Sequence, residues 1–102
     1  MELKEVKEFL TKLSQDKITF DFHFYKRSQE RLIDESMIRS FLCQLDKLEK
    51  IERGKNEDRF KLWFKMSHRY SLVIIVEIKI SQDLKVISAW NSDRKWQNKL
   101  KQ

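Results

Sequence analysis

The sequence predicts an α+β fold: N-terminal helices packed on one face of a sheet of four, or five, antiparallel strands, with a short C-terminal helix. Three observations predict it. Ser71 to Ile80 reads SLVIIVEIKI, with Leu72, Ile74, Val76, Ile78 and Ile80 on one parity, a period of two in β-branched residues that marks a strand. Val73 and Ile75 make the other parity apolar too, so the first half is covered on both sides, as a central strand is. Arg59 to Ser67 alternates Phe60, Leu62, Phe64 and Met66 with Lys61, Trp63, Lys65 and Ser67, a half-buried neighbour for it. Two stretches carry apolar residues at helical spacing instead: Leu3, Val6, Leu10 and Leu13, then Met37, Ile38, Phe41, Leu42 and Leu45.

In chain order, residues 2–14 form the first amphipathic helix, and Lys17 to Asp21 a short strand in which Ile18 and Phe20 alternate with polar residues. Asp34 is the expected N-cap of the aliphatic helix, with Glu35 in its first turn where the helix dipole favours an acid. Cys43, beside that stripe, is expected to be a small packed residue, since no activating histidine is near it in sequence. Leu48 to Arg53 is a strand hairpinned to Arg59–Ser67 through Gly54-Lys55-Asn56, which holds the one glycine. His68 and Arg69 lie in the turn into the central strand, and Ser81-Gln82-Asp83 closes the next hairpin. Leu84 to Trp90 is the last strand, its inward parity undecided, and Asn91-Ser92-Asp93 is the expected cap of a helix containing Trp96 and Leu100. The chain divides into an added helix (1–16), a core (17–92) and a basic C-terminal helix (93–102), all within one domain of 102 residues.

Composition excludes several classes. The longest uninterrupted apolar run is Leu72 to Val76, far short of the roughly 20 residues that span a bilayer. The N-terminus alternates charge with apolar residues instead of presenting a leader's apolar block, so a cytoplasmic protein is expected. One cysteine rules out an intrachain disulfide, and with two histidines it is too small a set for structural zinc. No glycine-rich phosphate loop or nucleophile elbow occurs, so no cofactor is expected and a small-molecule enzyme finds little support.

The net charge of +6 is unevenly placed. Lys85, Arg94, Lys95, Lys99 and Lys101 stand against Asp93 alone in residues 85–102, interleaved with Trp90 and Trp96. Cations attract phosphate and indoles stack bases, so a polyanion suits this end, although a lysine-rich solvated helix has the same composition. The outward parity of Arg59–Ser67 adds Lys61, Trp63 and Lys65, expected beside Glu77 and Lys79: either an ordinary solvated face or a single-stranded RNA platform.

His23, Arg27 and Arg31 are spaced four and four, which puts them on one helix face over two turns. Three such groups in a row need an anion, an acidic partner or open solvent. Around a phosphate, the imidazole could take the proton from an attacking ribose 2′-hydroxyl while the guanidiniums stabilise the transition-state charge. Alternatively, Glu30, Asp34 or Glu35 pairs with the arginines as structural ion pairs.

The run Ile18-Thr19-Phe20-Asp21-Phe22-His23, then Arg27, then Glu30-Arg31-Leu32-Ile33, then Ile38 and Leu42, and finally Val86-Ile87-Ser88-Ala89-Trp90, resembles a group of small His-x3-Arg-x3-Arg domains. That group in turn resembles the RelE/BrnT-type toxins of toxin–antitoxin pairs. The resemblance covers about residues 17–92. It implies a helical layer on an antiparallel sheet and metal-independent cleavage of mRNA or another RNA, free or on the ribosome. It further implies His23, Arg27 and Arg31 as catalytic residues and an antitoxin protein as partner. Lys61, Trp63, Lys65, Arg69, Trp90, Arg94 and Lys95 are the expected RNA contacts. RelE-type enzymes use a C-terminal tyrosine or histidine, whereas this chain has Trp90, Asn91 and Arg94 there. His23 would therefore carry more of the chemistry, or His68 would assist it. A binding module without catalysis, for nucleic acid or an acidic protein, is the alternative. The oligomeric state is not legible in the sequence.

Overall fold

The computed structural model describes residues 1–79 and 82–94, with the side chains of residues 29 and 30 left aside. Its elements run α1 (Leu3–Thr11), β1 (Ile18–Phe20), α2 (Phe22–Arg31), α3 (Glu35–Leu42), β2 (Leu48–Arg53), β3 (Arg59–Lys65), β4 (Tyr70–Ile78) and β5 (Leu84–Asp93), with single 3₁₀ turns before β1 and β2. The sheet order is β1-β5-β4-β3-β2, so the apolar strand read as central is central. The sheet is five-stranded and mixed, which corrects the purely antiparallel expectation. β2 to β5 form an antiparallel meander, while β1 pairs in parallel with β5, Ile18 opposite Leu84 and Phe20 opposite Val86. Parallel pairing needs a long connection. Here that connection is everything from α2 to β4, which no local pattern reveals.

Alternation along the strands decides what the sheet buries. Phe60, Leu62 and Phe64 of β3, with Leu72, Ile74, Val76 and Ile78 of β4, meet Val6 and Leu10 of α1, Phe24 of α2, and Ile38 and Leu42 of α3 in one buried cluster. Phe41 turns its ring edge toward Phe64, 5.9 Å between centroids. The aliphatic helix thus lies on the sheet as its stripe predicts, and Asp34 caps it by accepting a 2.8 Å hydrogen bond from Met37 N–H. That bond, joined by the Ser36 hydroxyl, holds the Asp34 carboxyl below the usual aspartate range. Gly54 closes the β2–β3 hairpin by donating to the Arg59 carbonyl at 2.8 Å. A Cβ there would meet Arg59 Cβ at 2.9 Å, so the contact needs glycine.

The last strand departs from expectation in two ways. Ile75 and Val76 are consecutive on β4, yet their partners are Ser88 and Val86, so Ile87 is the extra residue of a bulge. The bulge shifts the parity: Leu84 and Val86 face the core, and after it Ala89 does. No single parity could have been read from the sequence. The strand also continues to Asp93, with Ser92 opposite Ser71 and Asp93 opposite Tyr70. Asn91-Ser92-Asp93 is therefore strand and not a helix cap, because the pairing with β4 runs on. The expected C-terminal helix lies, from residue 95 onward, outside the described residues. Cys43 is exposed and not packed, with Gln15 Nε2 at 2.7 Å from its Sγ.

Candidate nucleic-acid interface

α2 begins at Asp21, whose carboxylate accepts from His23 N–H at 3.2 Å and pairs with Lys85 at 3.4 Å. The His23 amide is the main cause holding the Asp21 carboxyl below its ordinary range, with Lys85 assisting. β1 ends opposite Val86, so the rest of β5 has no strand on that side and α2 runs along the open edge. Arg31 closes it, donating from Nη1 to the Ala89 carbonyl at 2.9 Å and to Ser88 Oγ at 3.3 Å. An unpaired carbonyl on a sheet edge invites foreign strands, and a side-chain donor removes the invitation. His23 and Arg27 stand exposed one turn apart. The spacing of four therefore holds His23 and Arg27 on an outward face, while Arg31 is turned into the sheet. Each acid described near them has another partner: Asp21 caps α2 and pairs with Lys85, Asp34 caps α3, and Glu35 pairs with Arg39 and accepts from the Tyr25 hydroxyl.

His68 and Arg69 occupy the β3–β4 turn, where the Arg69 carbonyl accepts from Arg94 N–H at 2.8 Å. α2 begins where Asp21 N–H bonds the Val86 carbonyl. About seven residues of β5 at roughly 3.3 Å each separate these anchor points, on the order of 20 Å. His68 is thus not brought beside His23.

The outer face of the sheet gathers more of the expected contacts. Trp63, Val73 and Trp90 stand in one row across β3, β4 and β5, and Val73 is fully buried under them although it faces away from the core. Lys61 Nζ lies 5.0 Å from the Trp63 ring centroid and 5.3 Å from that of Trp90, within reach of the negative ring faces of both. Glu52 accepts from the Trp63 indole N–H and pairs with Lys50 at 3.6 Å. Glu77 faces Arg59, 3.3 Å away, and not Lys61, and Lys79 lies beyond the end of β4. At the Asp93 end, Arg94 is bound bidentately by Glu49 and donates to Ser71 Oγ at 3.1 Å, which supplies a partner for the one buried polar residue described. Lys65 is exposed on the same face, and Arg69 lies over Tyr70 at 5.6 Å. Lys95 is outside the described residues.

Sequence reading missed Lys50 and Arg59 on this face. Their signal was available: Arg59 shares the outward parity of Lys61, and Lys50 faces Trp63 once the β2–β3 hairpin register is set. No family model, curated protein or solved structure matches the chain. Among the described residues, no helix is long and apolar enough to cross a membrane.

Proposed function

We propose that this protein is an RNA-binding module that takes single-stranded RNA across the outer face of its sheet. The observation that carries the reading is the Lys61 ammonium set over both Trp63 and Trp90. Flat aromatic surface for bases and a central cation for phosphate are the two elements such platforms combine. Lys65 adds an exposed cation to the same face, Lys50, Arg59 and Arg94 are each held there by a glutamate, and the chain's excess of +6 attracts polyanions from any direction. The acids on this face each engage a neighbouring cation, which orients the cations while leaving the face net positive. The test is fluorescence anisotropy with a labelled 12-nucleotide RNA at several salt concentrations. Trp63→Ala and Trp90→Ala should each weaken binding by roughly tenfold, the value of one stacked base. Lys61→Gln should flatten the salt dependence by about one phosphate contact. Binding that ignores all three variants sinks the proposal.

A second reading is favoured by His23 and Arg27, a base and a guanidinium presented one turn apart to solvent. In it the protein is a toxin-like, metal-independent ribonuclease acting on free or ribosome-bound RNA and held by an antitoxin. The chemistry would rest on His23 as base and Arg27 as anion clamp, without Arg31. Induced expression of wild type beside His23→Ala and Arg27→Ala, read as growth and RNA integrity, decides it. Growth arrest with RNA loss in wild type alone supports catalysis, and unchanged growth in all three removes it.

A further inference from the structure

Among the described residues, three stretches of the sheet face no neighbouring strand, and an arginine closes two of them. The run of β5 beyond Val86 is met by Arg31 at the Ala89 carbonyl. On the outer side of β1, Arg39 of α3 donates from Nη2 to the Ile18 carbonyl at 3.2 Å. The third stretch is β2, the last strand at the opposite end of the sheet. Gly54 N–H bonds the Arg59 carbonyl in the hairpin, and hydrogen-bonded positions alternate along an antiparallel pair. Lys50 and Glu52 therefore turn their backbone groups toward Trp63 and Lys61 of β3, while Ile51 and Arg53 turn theirs outward. Among the described residues, none bonds the outward amide or carbonyl of Ile51. Beside this open edge runs a groove with Leu3 and Lys7 of α1 on one wall and Leu48 and Ile51 on the other, and Leu3 is 38% exposed.

We infer that β2 pairs antiparallel with β2 of a second copy about a two-fold axis at Ile51, joining the two sheets into one. Charge selects this register among those that a two-fold axis allows. An axis at Lys50 sets that lysine against itself, an axis at Glu52 does the same with glutamate, and an axis at Arg53 with arginine. Like charges directly opposite are destabilising. At Ile51 the two isoleucines exchange both backbone hydrogen bonds, and each Lys50 stands opposite the other copy's Glu52. Lys50 already lies 3.6 Å from Glu52 of its own strand, with its side chain 52% exposed. The second copy adds an opposite charge to each member of that pair without breaking it, and the four groups alternate in sign. Glu49 takes no part, since it is the bulge residue of β2 and is bound by Arg94. The order Lys50-Ile51-Glu52 is thus complementary to its own reverse, which singles out a second copy as the occupant. The axis stands perpendicular to the sheet, so both copies keep their helices on one side. Ile51, which packs on that side, enters beside the other copy's Leu3. Two copies of charge +6 repel at long range, an effect screened beyond about 8 Å at physiological ionic strength. One strand and a helix end make a small interface, so the association is a weak one.

The test is sedimentation equilibrium of the full chain at physiological salt and without RNA, joined to amide exchange. A reversible dimer is expected. Exchange at the Ile51 amide should slow as concentration rises, because that amide gains a partner only in the dimer. Lys50→Glu sets like charges opposite each other at both symmetry-related places and should weaken association by about tenfold. Adding Glu52→Lys restores the alternation and should recover most of that loss. Register is read by cross-linking in a Cys43→Ser background, since Cys43 is exposed. Lys50→Cys mixed with Glu52→Cys should give disulfide-linked dimers, because directly opposite residues stand within disulfide reach. Either variant alone should not, its two cysteines being roughly 8 Å apart across the axis. A chain that stays monomeric at every concentration overturns the inference and leaves the edge to a strand of another protein. A dimer untouched by Lys50→Glu overturns it too, as does one in which Lys50→Cys cross-links to itself as readily as to Glu52→Cys. Every arm is run without RNA, so this inference and the RNA reading fail independently.

Discussion

Arg31 was expected to act on a phosphate, and its contacts give it a different task whose magnitude can be worked out. Its guanidinium donates to the Ala89 carbonyl at 2.9 Å and more weakly to Ser88 Oγ at 3.3 Å. A hydrogen bond from a charged donor contributes about 1.5–3 kcal/mol. The side chain is half-buried, so water recovers part of the loss when it is removed, and about 1.5 kcal/mol is the expected cost of Arg31→Ala. For a domain near 100 residues, each kcal/mol moves Tm by roughly 4–8 °C, so the variant should melt about 6–12 °C lower. Ser88→Ala should cost under about 0.5 kcal/mol, the worth of a long bond with a solvated alternative. Arg31→Lys keeps the charge but loses the planar fork, and should fall between wild type and alanine. Urea titration followed by circular dichroism gives all three values, together with Arg27→Ala as an exposed control that should stay within about 0.5 kcal/mol of wild type. If Arg31→Ala unfolds with Arg27→Ala and yet alone abolishes RNA binding or toxicity, the edge-closing role is wrong and Arg31 acts on the ligand.

Leu32→Gly should raise stability by about 1 kcal/mol, because glycine adopts the left-handed cap at no steric cost and an exposed leucine loses little packing there; a lower Tm would show that Leu32 packs in solution. Asp34 carries a depressed carboxyl pKa in the fold, so its stabilisation is complete above the ordinary aspartate value, about 3.9, and is lost as pH falls through the lower folded value. Asp34→Ala should therefore be less stable than wild type at pH 7, with the gap closing below about pH 4; a gap that persists at pH 2 would mean that the cap does not depend on ionisation. Glu49→Gln should destabilise by loosening Arg94 from its bidentate contact and from buried Ser71, and hydrogen exchange at the Asp93 end of β5 should quicken relative to Leu84.

The meander was legible because its information is local. The alternation of Phe60, Leu62 and Phe64, the continuous apolar run of β4 and the turn at Gly54 are each contained in a few residues, and hairpins join neighbours. Three features were not legible, and each depends on something distant or on a single inserted residue. The pairing of β1 with β5 joins residues 66 positions apart at Ile18 and Leu84, and no periodicity carries that. The bulge at Ile87 shifts the parity of β5 midway, so the strand has no one pattern to find. At the candidate sites, a spacing of four correctly placed His23 and Arg27 on one face, but Arg31 stands eight residues beyond His23, and about 40° of drift per step carried it round to the sheet. Spacing alone could not tell an arginine aimed at solvent from one aimed at a neighbouring strand.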